Sequence, residues 1–193
     1  MPIEADEETE QQVAQFIYDT LPVEVFSTIR GIPPNRRKAC VYIYGQPGTG
    51  KSLIAKILTC DLQTARVSTR DDTFKFGSVI QSTQAIIWDE ALITQETSDI
   101  TKQVFGGEEL LIDLKAKPSQ TLTGWRPIIC TSNYPYWQLI DAVTEEAIGQ
   151  RLYYIVLEEK IPVLQGKQLR LPAVLEKLHK LYKPECPWLQ GVL

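Results

Sequence analysis

One octapeptide constrains this chain more than any other segment, because it matches G-x-x-x-x-G-K-S directly after an apolar run. Its residues are Gly45, Gln46, Pro47, Gly48, Thr49, Gly50, Lys51 and Ser52. Residues 39–44 before it read as a buried strand, and residues 53–58 after it form a good helix sequence. Glycines let the backbone curl so that its amides point at phosphate, and the helix start adds partial positive charge.

The octapeptide therefore predicts a phosphate-binding loop for a nucleoside triphosphate. Lys51 is expected to reach the terminal phosphates, and Ser52 to hold Mg²⁺. The competing interpretation is an ordinary glycine-rich turn, which the strand and helix on either side disfavour.

Length and charge limit the class of protein. The 193 residues suffice for one α/β domain with a sizeable core. The net charge of −4 means that any basic surface must be local. The first ten residues are acidic, unlike a secretory leader, and no apolar stretch approaches the roughly 18 residues of a membrane span. We expect a soluble intracellular protein with no membrane partner.

Cysteine and histidine offer little chemistry. The four cysteines, Cys40, Cys60, Cys130 and Cys186, are scattered without a C-x-x-C pair, which favours buried free thiols over disulfides or zinc. The single histidine, His179, lies in an amphipathic pattern and is expected to be a surface or packing residue. A nicking centre built from paired histidines cannot be assembled from these residues.

Four apolar runs predict the sheet. The runs at residues 39–44, 85–90, 127–133 and 152–157 are continuously apolar before any polar residues that end them, as in parallel strands buried on both faces. Helical spacing precedes Pro22 and recurs in the stretch that ends at Tyr182. We therefore predict an open, mainly parallel α/β sheet flanked by helices. Residues 1–38 would form an N-terminal helical arm, a possible oligomerisation segment, and residues 39–193 the main domain.

Polar residues end two of these runs. Ligands of open α/β sheets bind at the carboxyl ends of the strands. Asp89 is expected to hold Mg²⁺ and Glu90 to orient an attacking water, although an acidic pair after a strand can also simply begin a helix. Asn133 ends a strand that could lie beside both the strand before the phosphate loop and the strand before Asp89. Its amide would contact the γ-phosphate or the water, or else cap a turn.

Residues 110–117 alternate instead of running apolar. Leu110, Ile112, Leu114 and Ala116 share one face. Residues 118–120 are expected to reverse the chain, giving a hairpin with Lys115 and Lys117 near its tip. These lysines are either a solvated face or a grip on nucleic-acid phosphates, and copies around a ring would line a channel.

The order of these motifs resembles the superfamily 3 helicases, ring-forming ATPases of small DNA viruses within the AAA+ class. The matching segments are G-Q-P-G-T-G-K-S, I-I-W-D-E-A, F-G-G-E-E-L-L-I-D-L-K-A-K-P-S-Q and I-I-C-T-S-N, within residues 40–158. The lysine-bearing hairpin between the acidic motif and the Asn strand is the most diagnostic of them. It is most similar to that of the parvovirus-type replication initiators.

This resemblance implies an AAA+-like fold and an ATP- and Mg²⁺-dependent helicase. Its partners would be other copies in a hexameric ring and single-stranded nucleic acid, with DNA the expected polymer. Lys115 and Lys117 would contact the strand in the channel. Arg151, if not a surface ion pair, would be the arginine finger that reaches the ATP of the adjacent subunit. The location would be the host nucleus for a eukaryotic DNA virus and the cytoplasm otherwise.

The chain departs from the family in two respects. The multi-helix oligomerisation bundle is reduced to one or two helices within residues 7–30, and the nicking domain with paired histidines is lacking. A fragment of a larger initiator and a naturally small protein both fit. A loader or remodeller of a protein partner, or an RNA-directed viral ATPase, remains the alternative function. A GTPase is disfavoured because no D-x-x-G or N-K-x-D run exists.

Overall fold

Strands and helices alternate along most of the chain. The structure is a computed structural model that describes residues 3–69, 76–114, 117–162 and 166–185. The described elements are β1 (Ile3–Glu4), α1 (Glu7–Thr20), α2 (Val23–Ile29), β2 (Cys40–Gly45), α3 (Lys51–Leu58), β3 (Thr64–Val67), β4 (Ala85–Trp88), α4 (Ser98–Phe105), β5 (Leu110–Leu114), β6 (Lys117–Leu122), β7 (Ile128–Ser132), α5 (Ala142–Gly149), β8 (Leu152–Leu157), β9 (Lys167–Gln168) and α6 (Leu171–Tyr182).

Five parallel strands form the central sheet in the order β3-β4-β7-β2-β8. The four apolar runs and the short segment before the acidic strand supply all five, so the predicted parallel sheet is confirmed. β7 pairs with β2 on one side and with β4 on the other. The strand that ends at Asn133 therefore lies between the strand of the phosphate loop and the acidic strand, as predicted.

Both faces of the sheet are covered, which explains the continuous apolar runs. One face packs against α1, α2, α3 and α6. The other packs against α4, α5 and the β5–β6 hairpin. Strand residues alternate between the two cores: Val41 and Ile43 belong to the first, and Cys40 and Tyr42 to the second. The sequence patterns did not predict α4 and α5, which have only eight residues each.

The N-terminal helices share a core with the C-terminal helix α6. Pro22 separates α1 from α2, as expected from the helical spacing that precedes it. Phe26 stacks on Tyr182 with ring centroids 4.2 Å apart. The guanidinium of Arg170 donates two hydrogen bonds, of 2.7 and 3.0 Å, to the carboxylate of buried Glu10. The boundary predicted after residue 38 therefore falls between segments that are in direct contact.

The β5–β6 hairpin is present, but its predicted turn is wrong. Residues 118–120 lie inside β6, where Gln120 pairs with Ile112, so the chain does not reverse at residues 118–120. Pro118 has no backbone N–H to donate. It is tolerated there because β6 is an edge strand of a two-stranded sheet. The predicted alternation is confirmed for its described residues, with Leu110 and Ile112 buried. Lys115 and Ala116 lie outside the described residues.

The described cysteines are free thiols, as predicted. Cys40 and Cys130 are buried on neighbouring strands with their Sγ atoms 3.8 Å apart, and Cys60 is half-buried. Burial raises the pKa of the Cys40 thiol. Cys186 lies outside the described residues. His179 is a packing residue: it is buried in α6, with its ring 5.3 Å from that of Phe26.

Candidate nucleotide site

The loop between β2 and α3 has the backbone geometry that its glycines predict. Gly48 and Gly50 have φ angles of +79° and +102°, in the left-handed region that favours glycine. A Cβ on Gly50 would also lie 2.5 Å from Cγ2 of Ile161. No side chain caps α3 at Gly50. The start of the helix, with its amides and positive dipole end, therefore faces the loop without a competing side chain.

Lys51 is held inside the loop. Its side chain is 8% exposed, and its Nζ donates to the carbonyl oxygens of Gly45 at 2.9 Å and Gln46 at 2.7 Å. It also lies 3.4 Å from Oγ1 of Thr49. Burial lowers the pKa of the Lys51 ammonium. The backbone of the loop thus holds the Lys51 ammonium in a position from which it can also bind an anion.

Asp89 lies at the carboxyl end of the acidic strand and has three polar partners. Its Oδ1 accepts hydrogen bonds from Oγ of Ser52 at 3.2 Å and from Oγ1 of Thr131 at 2.8 Å. Its Oδ2 accepts a 2.9 Å hydrogen bond from the guanidinium of Arg66. Ser52 and Asp89, the two predicted Mg²⁺-holding residues, are therefore adjacent.

Glu90 adopts an unusual backbone conformation. Its φ of 53° is the single positive value at a non-glycine residue in the described part of the chain. Oγ1 of Thr69 donates a 3.0 Å hydrogen bond to the Glu90 carbonyl, and the next amide, that of Ala91, donates to the carbonyl of Thr131 at 2.9 Å. These bonds hold the turn in which the exposed Glu90 side chain lines the cavity.

One cavity of about 340 Å³ brings the predicted residues together. The phosphate loop contributes Lys51 and Ser52 to its lining, the turn after β4 contributes Glu90, and the end of β7 contributes Asn133. Asp89 adjoins it through its bond to Ser52. Three separate strand ends therefore converge on one space, because the strands are neighbours and parallel.

These residues fit a nucleoside triphosphate with Mg²⁺. An uncapped helix start and a buried ammonium suit phosphate oxygens. The hydroxyl of Ser52 beside the carboxylate of Asp89 is an oxygen donor set of the kind that Mg²⁺ prefers. The fit rests on chemistry and position, and it agrees with the prediction from the octapeptide.

Arg151 lies at the opposite end of the sheet. It precedes β8, whose first residue pairs with Cys40, whereas Gly45 at the other end pairs with Leu157. Six residues of strand separate the two ends, about 20 Å at roughly 3.3 Å per residue. The Arg151 guanidinium donates to the carbonyl of Ala147 within the same chain. Arg151 therefore cannot serve the phosphate loop of its own chain in this conformation.

Sequence reasoning missed two residues that contact Asp89. Thr131 lies within the I-I-C-T-S-N segment, in which only Asn133 is assigned a role, and Arg66 lies on the edge strand β3, outside the matching segments. Only the lateral order of the strands places their side chains beside Asp89. Of the two predicted strand-gripping lysines, Lys117 begins β6, and Lys115 is outside the described residues.

The fold is of the AAA+-like type found in JCV helicase and in the NrS-1 C-terminal region. The NrS-1 C-terminal region superposes with a TM-score of 0.56 at 14% identity, over 93% of this chain and 44% of that one. JCV helicase superposes with a TM-score of 0.54 at 13% identity, over 94% of this chain and 61% of that one. The likeness to these two proteins concerns the fold.

A family model described as Parvovirus non-structural protein NS1 matches residues 18–162, and the chain belongs to that family. The Initiator protein NS1 of Human parvovirus B19 is 28% identical over 98 residues in both isolate AU and strain HV. That alignment covers 50% of this chain and 14% of the viral protein, so the chain corresponds to a small part of its relative. Among the described residues, no helix has the length and apolarity to cross a bilayer.

Proposed function

We propose that this chain is an ATP-hydrolysing domain of a replicative ring helicase that moves on single-stranded nucleic acid, DNA being the expected polymer. The observation that supports it best is the convergence of the phosphate loop, the acidic turn and Asn133 on one cavity. The initiator name of the viral relatives and the helicase fold agree with a role in replication.

Each residue of the cavity has a proposed role. Lys51 contacts the terminal phosphates, and Ser52 with Asp89 holds Mg²⁺, which when bound neutralises phosphate charge. Glu90 orients the attacking water and accepts its proton. Asn133 contacts the γ-phosphate or that water. Of the remaining loop residues, Gly45, Gln46, Gly48, Thr49 and Gly50 direct backbone amides at the phosphates, and Pro47, which has no N–H, shapes the loop.

The site is proposed to work between subunits. Arg151 lies about 20 Å from its own phosphate loop, since the length of β2 separates the two ends of the sheet. This position suits contact with the ATP of a neighbouring copy. A closed ring, hexameric in this proposal, would give every site one such arginine. Lys115 and Lys117 of the hairpins would then face the strand in a common channel.

The decisive experiment measures ATP hydrolysis alone, with single-stranded DNA and with single-stranded RNA. Wild-type protein should hydrolyse ATP and respond to one polymer. Lys51→Ala should abolish nucleotide binding, because it removes the buried ammonium of the loop. Lys56→Ala, an exposed lysine on the same helix, is the matched control. If Lys51→Ala bound and hydrolysed ATP like wild type, the assignment of the cavity would be wrong.

A second comparison separates a helicase from a remodeller of proteins. The double variant Lys115→Ala, Lys117→Ala should lose stimulation by single strands, with melting temperature as the control for folding. Wild-type binding should also weaken with salt, log K falling against log salt by about 0.7 per phosphate contact. Unaltered stimulation in the double variant would contradict the channel role of the hairpin.

A further inference from the structure

A basic segment lies at the amino edge of the sheet, away from the nucleotide cavity. Arg36, Arg37 and Lys38 directly precede the Ala39–Cys40 start of the first central strand. Asn35 fixes the turn that carries them, because its Oδ1 accepts from the Arg37 amide and its carbonyl from the Lys38 amide, both at 3.0 Å. The backbone is thus held in place while the Arg36 and Arg37 side chains are exposed.

This basic segment is bonded to the exit of the β5–β6 hairpin. Nε1 of Trp125, three residues after β6, donates a 2.8 Å hydrogen bond to the Arg36 carbonyl. The guanidinium carbon of Arg36 lies 6.0 Å from the centroid of the Trp125 ring. The ammonium of Lys38 lies 5.1 Å from the ring centroid of Tyr153, on β8. Two of the three cations therefore stand over aromatic faces.

Within the described residues, the cations of the basic segment have no carboxylate partners. None of the three makes a salt bridge in the part of the chain that the structure describes. Glu108 and Glu109 are exposed on the nearby loop after α4, yet neither is paired with them. In a chain of net charge −4, this is a local concentration of free positive charge.

We infer that the basic segment, with Trp125, is a second contact surface for the phosphate backbone of single-stranded nucleic acid. It adjoins the chain that leaves the β5–β6 hairpin, through the hydrogen bond from Trp125 to Arg36. The inference rests on the proposed function, since it extends the path of the same strand, but it assigns the contact to different residues.

The combination of groups favours nucleic acid over an acidic protein segment. Guanidinium groups pair well with phosphate oxygens through paired N–H donors. Trp125 is half-exposed beside them with the Arg36 guanidinium over its ring, and a base can stack on this guanidinium–tryptophan pair. Basic grooves with aromatic side chains are how proteins hold single strands without reading sequence. An acidic peptide would use the charge but has no planar base to stack on the pair.

The test compares two triple variants of the full chain with the same change in net charge. The first is Arg36→Gln, Arg37→Gln, Lys38→Gln. The matched control is Lys56→Gln, Lys180→Gln, Lys183→Gln, which removes three exposed lysines on other elements. Affinities for fluorescent oligo(dT) and oligo(U) are measured by anisotropy over a series of salt concentrations, and melting temperatures monitor folding.

The first variant should bind roughly 10- to 100-fold more weakly at about 0.1 M salt, and its salt slope should be smaller by up to about 2, at roughly 0.7 per lost phosphate contact. The control should change both quantities little. A further variant, Arg36→Lys with Arg37→Lys, keeps the charge and should retain most of the affinity, which separates charge from packing on Trp125.

Three results would overturn the inference. Equal effects of the two triple variants would indicate a general charge effect, and an unchanged salt slope in the first variant would show that these residues do not meet phosphate. Loss of affinity in the charge-preserving variant together with a lower melting temperature would indicate a packing role. If single strands bind and Lys115→Ala with Lys117→Ala weakens them while the first triple variant does not, only this inference fails. If no strand binds wild-type protein, the proposed function fails with it.

Discussion

Asp89 shows at the residue scale how a short motif depends on residues outside it. Its carboxylate is held by Ser52, by Thr131 and by Arg66, which come from three different elements. The ion pair with Arg66 is largely solvent-exposed and contributes little to stability. The bond from the buried Thr131 hydroxyl instead fixes the orientation of the oxygen that Ser52 also contacts.

Thr131→Val should raise the Mg²⁺ concentration needed for half-maximal ATP hydrolysis by roughly fivefold, the equivalent of about 1 kcal/mol for one lost hydrogen bond. Thr101→Val is the matched control, because the Thr101 hydroxyl is buried without a partner within the described structure. It should leave the Mg²⁺ dependence unaltered and make the protein equally or more stable. Identical Mg²⁺ curves for wild type and Thr131→Val would argue against the positioning of Asp89 by Thr131.

His179 should make stability depend on pH. Burial lowers its pKa from the ordinary 6.5, the positive charge of Arg30 adds to this, and Asp61 opposes it. Above about pH 6.5 the imidazole is neutral in both states, so its contribution is complete there. As pH falls below 6.5 the unfolded chain takes up a proton that the folded chain resists, and stability is lost until the lower folded pKa is passed.

Urea unfolding between pH 7.5 and 5.5 can test this sign, with His179→Gln as a variant that does not titrate. The unfolding free energy of wild type minus that of the variant should decrease as pH falls. A difference that stays constant, or that moves in favour of wild type, would contradict a lowered pKa. The Nε2 atom of His179, buried without a hydrogen-bond partner in the described structure, is the physical basis of the prediction.

At the scale of elements, β7 joins the two regions to which functions are proposed, the nucleotide cavity and the hairpin. Its carboxyl end carries Thr131 and leads to Asn133, and its amino end follows Arg126 at the exit of the hairpin. The Arg126 guanidinium is buried and donates to the carbonyls of Gln81 and Thr83, each at 2.9 Å, and of Gly124 at 3.2 Å. Burial lowers the pKa of this guanidinium. The base of the hairpin is therefore fastened to the loop before β4.

Arg126→Gln should loosen the hairpin, because carbonyl oxygens lose their donors in a buried setting at a cost of about 1–3 kcal/mol. Amide hydrogen exchange in residues 117–122 should become faster, and stimulation of ATP hydrolysis by single strands should fall. The control is Arg30→Gln, which removes the ion pair between Arg30 and Asp61, two residues that belong neither to the hairpin nor to the loop before β4. Equal exchange of the hairpin in Arg126→Gln and wild type would exclude the anchoring role.

The elements also mark where sequence patterns reach their limit. The alternation of Leu110 and Ile112 predicts a hairpin strand, since it depends on side-chain direction within one segment. The position of the turn depends on strand pairing, and the turn-forming composition of residues 118–120 is misleading because those residues pair within β6. Helices as short as α4 and α5 offer few positions to a repeating pattern, since eight residues make little more than two turns.

At the scale of the whole molecule, the two ends of the sheet carry different parts of the proposed reaction. The cavity lies at the carboxyl edge, whereas Arg151 and the basic segment Arg36–Lys38 lie at the amino edge. One copy thus offers a phosphate loop on one side and an arginine on another. In the proposed assembly these two sides meet head to tail, which is the arrangement from which closed rings are built.

Mixing two inactive variants tests this division. Arg151→Ala alone and Lys51→Ala alone should each lose most ATP hydrolysis, yet a mixture should recover part of it, because some interfaces pair an intact Lys51 with an intact Arg151. Light scattering with and without nucleotide should show an assembly under the same conditions. Assembly without recovery at any mixing ratio would count against Arg151 as a group that acts between subunits.

The sequence by itself determined the phosphate loop, the parallel strands, the hairpin and the acidic pair. These features follow from local physics: glycine conformations, apolar runs, side-chain alternation and the charges that phosphate and Mg²⁺ attract. It also carried the family resemblance, because the order of the motifs is a property of the chain. Only the tertiary structure decided that β7 lies between β2 and β4, that Thr131 and Arg66 meet Asp89, and that Arg151 lies at the far edge. Those facts depend on the lateral order of strands, which comes from long-range packing on the two faces of the sheet and leaves no local mark in the sequence.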